Sequence, residues 1–213
     1  RDMVRHVLRK MRDEGLIRHL GVTNFDTAHL HVVLAAGIDI VSNQICFSLL
    51  DQRARGPMAE LCEARGVKIL AFGTLAGGFL TERWLDKPEP ADDALETWSQ
   101  MKYKRYVDEA GGWDRLQALL KVLKTVADRH GVSMANVATR YILDQPGVGG
   151  VIIGARLGQS EHIDNNIGLL DLELDAEGRQ AVAEAVATLT PIHGDCGDEY
   201  RKPPFLTASG DLS

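Results

Sequence analysis

Four short apolar runs, IRHLGV (17–22), IDIVSNQI (38–45), VKILAF (67–72) and VGGVIIG (148–154), are separated by segments of helical periodicity. That alternation constrains the fold more than any other feature, because strands separated by helices pair in parallel through right-handed crossovers. The spacing predicts a helix over 3–14 ending at Gly15, and a second one capped by Asp26 and ending at Gly37. A third is expected over 53–65, with VKILAF as a parallel strand buried on both faces. Further helices are expected over 113–130, from Ser133 to about Leu143, near Glu161, and from Asp175 to Leu189. Residues 73–112 read as a long irregular section, and 190–213 as an irregular tail. A doubly wound open sheet and part of a (β/α) barrel both accept this order. A dinucleotide-binding open sheet would carry GxGxxG after its first strand, and HLGVTNF is not that motif. A complete barrel needs eight strands and roughly 250 residues, so four units point toward half of one.

The chain of 213 residues reads as a single domain, 1–213. Its formal charge of −6 gives no basic field for nucleic acid, and no apolar run is long enough to span a membrane. The basic residues Arg5, Arg9, Lys10 and Arg12 alternate with Val4, Leu8 and Met11, which reads as the wet side of an amphipathic helix. Cys46, Cys62 and Cys196 have no CxxC spacing and read as reduced thiols of a cytoplasmic protein. RDMVRHVLRKMRDEG opens inside a helical pattern, so the chain is expected to be N-terminally incomplete, starting in mid-fold.

Ligands of parallel α/β folds gather at the C-terminal ends of the strands. Those ends read Thr23-Asn24-Phe25, Asn43-Gln44, Phe72-Gly73-Thr74 and Gly154-Ala155-Arg156. Asn24 and Gln44 each offer a donor and an acceptor, which suits reading a ligand amide, and Phe72 offers a face for stacking. Arg156 stands where a strand hands over to a helix, a place whose free amides and positive dipole suit an anion. Taken singly, Asn24 also fits a turn former, Gln44 a satisfied buried amide, Phe72 a core residue and Arg156 a surface loop.

Together, GLIRHLGVTNF, VSNQICFSLLDQ, GVKILAFGTLAGGFL and VIIGARLGQSEHIDNN resemble the successive signatures of the aldo/keto reductase superfamily, over the chain up to about Leu189. The resemblance implies an α/β fold of the (β/α)8 TIM-barrel type, with only the C-terminal half, strands five to eight, in this chain. It implies an oxidoreductase that binds NADP(H) and reduces aldehydes or ketones to alcohols by hydride transfer. Carried over by position, Thr23, Asn24 and Gln44 would hold the nicotinamide carboxamide, and Phe72 would stack on the ring. Thr74, Leu75 and Gly77, with Gly78, would follow the pyrophosphate, the glycines allowing close backbone approach. Arg156 would meet the adenosine 2′-phosphate. The match slips in the following segment, which is about two residues longer than the commoner pattern. Asn166 is then assigned to the adenine with Asn165 as the alternative, and Gln159 and Ser160 hold weaker roles.

The family's catalytic Asp, Tyr, Lys and His come from the first half of its barrel, and nothing before Gly15 corresponds to those strands. Tyr103, Tyr106, Tyr141 and Tyr200 are expected in the long section, a helix and the tail, and His19 inside a strand. His162 reads as a surface residue near the presumed phosphate helix. No catalytic residue and no metal ligand is therefore assigned. The substrate would be a small-molecule carbonyl compound once the barrel is complete. A half barrel is expected to self-associate or to meet a complementary N-terminal half, because its sheet edges are open. Two other readings remain: a non-catalytic nucleotide-binding or interaction protein of the same fold, and a phosphate-binding barrel lyase or isomerase.

Overall fold

A computed structural model describes residues 2–155, 158 and 162–202. Four strands, β1 (Leu20–Thr23), β2 (Ile40–Cys46), β3 (Lys68–Phe72) and β4 (Val148–Ile152), form one parallel sheet in the order β1-β2-β3-β4. The helices are α1 (Asp2–Asp13), α2 (Thr27–Ala35), α3 (Pro57–Arg65), α4 (Trp98–Glu109), α5 (Trp113–His130), α6 (Met134–Leu143), α7 (Ile163–Asp171) and α8 (Ala176–Ala187). Doubly wound sheets reverse their order of strand addition at a switch point. Here each strand is added beside the last on the same side, as in a (β/α) barrel.

The sheet has one well-covered face. Asn43, Ile45, Ile69 and Ala71 alternate along β2 and β3 and are fully buried, with α3 against β3 and α6 against β4. On the other face Thr23 and Ile152 are exposed, and Gln44, Leu70 and Phe72 are half-buried. The expectation that β3 is buried on both faces is thus corrected. Its apolar run is continuous, but the described helices seal only one side of it.

The section expected to be irregular holds α4. Its start is written in the sequence: the Thr97 hydroxyl accepts from the Gln100 amide at 3.1 Å, and Gln100 Oε1 accepts from the Glu96 amide at 2.8 Å. Tyr103, Tyr106, Val107 and Ala110 then fall on one buried stripe. The preceding segment is held by Phe79, Trp84 and Trp113, whose ring centroids lie 5.1–6.1 Å apart. Trp113 Nε1 donates to the Lys87 carbonyl at 2.9 Å, and Gln117 Nε2 to the Trp84 carbonyl at 2.8 Å, so the segment's backbone is satisfied from α5.

One other placement changes. β1 begins at Leu20, which leaves His19 before the strand and exposed rather than inside it. The described part of the tail, irregular apart from a 3₁₀ turn at Asp198–Tyr200, is docked, with Cys196, Asp198 and Glu199 buried.

Trp113→Ala is expected to cost about 3–5 kcal/mol, read as a lower urea midpoint with an unchanged denaturant slope. A shift under about 1 kcal/mol would show that the aromatic trio does not anchor the segment before α4.

Candidate active site at the strand ends

Parallel pairing aligns the predicted residues across the sheet. Thr23 is in register with Gln44, and Phe72 with both Cys46 and Ile152. Asn24 follows β1 with φ +57°, a left-handed conformation that Asn tolerates better than most residues, and its amide donates to the Gln44 carbonyl at 2.9 Å. It is therefore a turn former. Its side-chain Oδ1, however, is buried without a hydrogen-bond partner, so the turn leaves that acceptor unused.

The Asn-Gln pair divides its work. Asn43 is the satisfied amide, donating to the Phe25 carbonyl at 2.9 Å and accepting from the Phe25 amide at 3.4 Å. Gln44, one residue on, falls on the less covered face. The Phe72 ring is not bare: the Lys102 ammonium of α4 lies 5.4 Å from its centroid and also faces Tyr103 and Tyr200. Lys102 donates to the Tyr200 hydroxyl, and that bond holds its pKa above the ordinary lysine value against the downward pull of burial.

Beside these residues a cleft of about 590 Å³ opens between the loop after β3, the start of α4 and the end of β4. Thr74, Leu75, Gly77, Gly78, Gly154 and Ala155 line it, and His162 stands at its edge where α7 begins. Thr74 itself is buried, with its hydroxyl 3.5 Å from that of Thr139. Gly77 has a packing reason for being glycine. Its φ is +65°, and a Cβ there would stand 2.9 Å from the Ser99 carbonyl oxygen, so α4 claims the space. Asn165 exchanges two 3.3 Å hydrogen bonds with Asn136 across the α6–α7 contact. Asn166 is half-buried in α7, but the described cleft wall does not include it. Arg156, Gln159 and Ser160 lie outside the described residues. The wall from α4, chiefly Ser99, Gln100 and Tyr103, went unrecognised in the sequence, although the Thr97 cap marked that helix.

The tail closes on the same strand ends. Asp195 accepts from the amide and hydroxyl of Thr27 at 2.9 and 3.2 Å, and Arg201 donates to the Asn24 carbonyl. Arg201 also donates to the Cys196 carbonyl at 2.6 Å and pairs with Asp26 at 3.2 Å. All three cysteines are free and buried, and burial pushes their thiols upward, Cys62 to about 11. No described helix is long and apolar enough to cross a membrane.

The model of the aldo/keto reductase family matches residues 3–187. The chain belongs to that family. An aldo/keto reductase fold also emerges from solved structures: a glycerol dehydrogenase from Gluconobacter oxydans superposes with a TM-score of 0.69 at 23% identity, over 88% of this chain and 54% of that one. Among curated relatives, flagellar radial spoke protein 5 of Chlamydomonas reinhardtii is 36% identical over 130 residues, 60% of this chain and 24% of its own length. Protein tas of Escherichia coli is 32% identical over 178 residues, 81% of this chain and 48% of its own. This aldo/keto reductase chain thus spans half or less of the length of these relatives, and the described strands are consistent with part of a (β/α)8 barrel.

The tail of this aldo/keto reductase should respond to acid. Burial would raise the Asp26 carboxyl, but the His29 amide at 2.7 Å, the His29 ring and Arg201 together hold it below the ordinary carboxylate value. Asp198 is likewise lowered against burial, by the Asp195 amide and by Lys202. A carboxyl depressed in the folded state stabilises when ionised, so its contribution is full above about pH 4 and fades as pH falls through the folded value. Amide-exchange protection over 195–202 is expected to drop below about pH 4 before that of β2, and Asp26→Asn should weaken it at pH 7. Protection lost only with global unfolding would refute this.

Proposed function

We propose that this chain is the NADP(H)-holding part of an aldo/keto reductase that reduces aldehydes or ketones to alcohols, with Asp, Tyr, Lys and His supplied by the rest of the barrel. The observation that carries the reading is the buried, unpartnered Oδ1 of Asn24 beside the Thr23–Gln44 pair. An acceptor left dry costs about 1–3 kcal/mol unless a ligand donor meets it, and a carboxamide N–H is such a donor. Thr23, Asn24 and Gln44 would orient the carboxamide, and the backbone at Thr74–Gly78 and Gly154–Ala155 would border the phosphates. Arg156 would neutralise a 2′-phosphate. The nucleotide, when bound, supplies a hydride donor. The residues of this chain hold and orient it and exclude water, and none is assigned the proton transfer.

Lys102 on the Phe72 face favours a second reading, a nucleotide-binding or interaction protein of this family without turnover. For the first reading to hold, Lys102 has to yield that face to a nicotinamide ring. Two edges, those of β1 and β4, are unpaired among the described strands, and we propose that they close against a second copy or a complementary N-terminal half.

Titration of the folded chain by cofactor fluorescence is expected to show NADPH binding. Arg156→Ala should weaken NADPH by about 1.5–3 kcal/mol while NADH changes little. Asn24→Leu should weaken both nucleotides by roughly tenfold. Failure of the folded chain to bind either nucleotide would overturn the cofactor reading, and equal losses for both in Arg156→Ala would remove that residue's role. Sedimentation of the chain alone is expected to show dimers or larger species, and a monodisperse monomer would refute closure by self-association.

A further inference from the structure

A second cleft, of about 430 Å³, lies where the end of α4 meets the chain after α8 and the tail. Much of its wall, Pro191 to Gly194 with Asp198, Glu199 and Lys202, falls beyond the segment matched by the family model. The hydrogen bonds at its floor do not balance. Asp51 and Glu199 are 0% and 2% exposed in their side chains, and the single guanidinium between them, Arg53, is 5% exposed. Arg53 gives Nε and Nη2 to the two oxygens of Asp51 at 2.8 and 2.7 Å. It also gives Nη1 to the Asp195 carbonyl at 3.2 Å, and Nη2 contacts the Tyr106 hydroxyl at 3.4 Å. Four of its five N–H donors are engaged there. Glu199 Oε2 lies 3.0 Å from Nη2, yet neither Glu199 oxygen receives a hydrogen bond.

A carboxylate this deeply buried needs donors of its own, and Glu199 receives none from the side chains around it. The other cations nearby give Glu199 no hydrogen bond: Lys102, whose pKa Glu199 helps to raise, donates to the Tyr200 hydroxyl. Lys202 is held by Asp198 at 3.0 Å, and Arg201 is drawn to Asp198 and Asp26. Glu109 adds a further acidic group at the wall, its pKa raised by burial, and His193 stands nearby. The ring of Tyr106 with Pro191 and Ile192 gives the cleft an apolar side. No group of three His, Cys, Asp or Glu among the described residues is placed to hold a metal ion.

We propose that this cleft binds a small organic cation, a primary ammonium or guanidinium on an apolar body, with its charged head on Glu199 and its body against Tyr106 and Ile192. The size suits a fragment-sized molecule, and a cation over the Tyr106 ring gains from its face as well. The site stands apart from the nucleotide reading and does not depend on it.

Benzylamine is a direct probe, with benzyl alcohol as its neutral counterpart and benzoate as its opposite. Calorimetry on the whole chain at pH 7 is expected to show benzylamine binding at least about tenfold more tightly than benzyl alcohol, and benzoate not at all. Glu199→Gln should erase the preference for the amine. Ile192→Trp, which fills the cleft and leaves the charges in place, should abolish benzylamine binding while circular dichroism stays unchanged. No benzylamine binding, equal binding of amine and alcohol, a preference for benzoate, or benzylamine binding retained in Ile192→Trp would each overturn the proposal. Should Glu199→Gln fail to fold, the Ile192→Trp result and the three-ligand comparison decide it.

Discussion

Everything at the candidate site depends on the parallel ladder. Because every strand runs the same way, Thr23, Gln44, Phe72 and Ile152 finish at one end of the sheet, though they come from distant parts of the chain. Period-two alternation then divides their neighbours. Asn43, Ile45, Ile69 and Ala71 go under the helices, while Gln44, Leu70 and Phe72 face the side the described helices leave open. A slip of one residue in β2 would bury Gln44 and turn Asn43 outward, so the same register fixes both core and site.

The tail is held by a different kind of interaction, one made of charge and donors rather than apolar area. Arg53 is its hub, reaching Asp51 before α3, Tyr106 on α4 and the Asp195 carbonyl in the tail. A lysine could not serve all three directions, since the fork of the guanidinium supplies the separate donors. Arg201 does the corresponding work at the outer edge, joining Asp26, Cys196 and Asn24. Between the two arginines the tail is placed tightly: a Cβ on Gly197, whose φ is +75°, would clash with the Asn24 carbonyl.

Strand identity, helix order and family were legible because each rests on local periodicity or on motifs of several residues. What stayed hidden rests on contacts between distant residues. Asn43 and Gln44 are neighbours with near-identical chemistry, and only the partner strand and Phe25 decide which is structural. α4 was readable from the Thr97–Gln100 cap, but the glycines and prolines before it masked the stripe that follows. Glu199 looked like one more acid in a polar tail, and its burial depends on Arg53, far away in sequence. The space against Gly77 belongs to Ser99 and Tyr103, which no nearby residue announces.

The Arg201–Asn24 bond joins residues 177 positions apart. During synthesis the first strand and its turn leave the ribosome long before the arginine that completes them. The strand ends therefore spend that interval without their cover, and this part of the tail docks after all four described strands have emerged. Contacts of such sequence separation slow folding because the loop must close before the bond repays it.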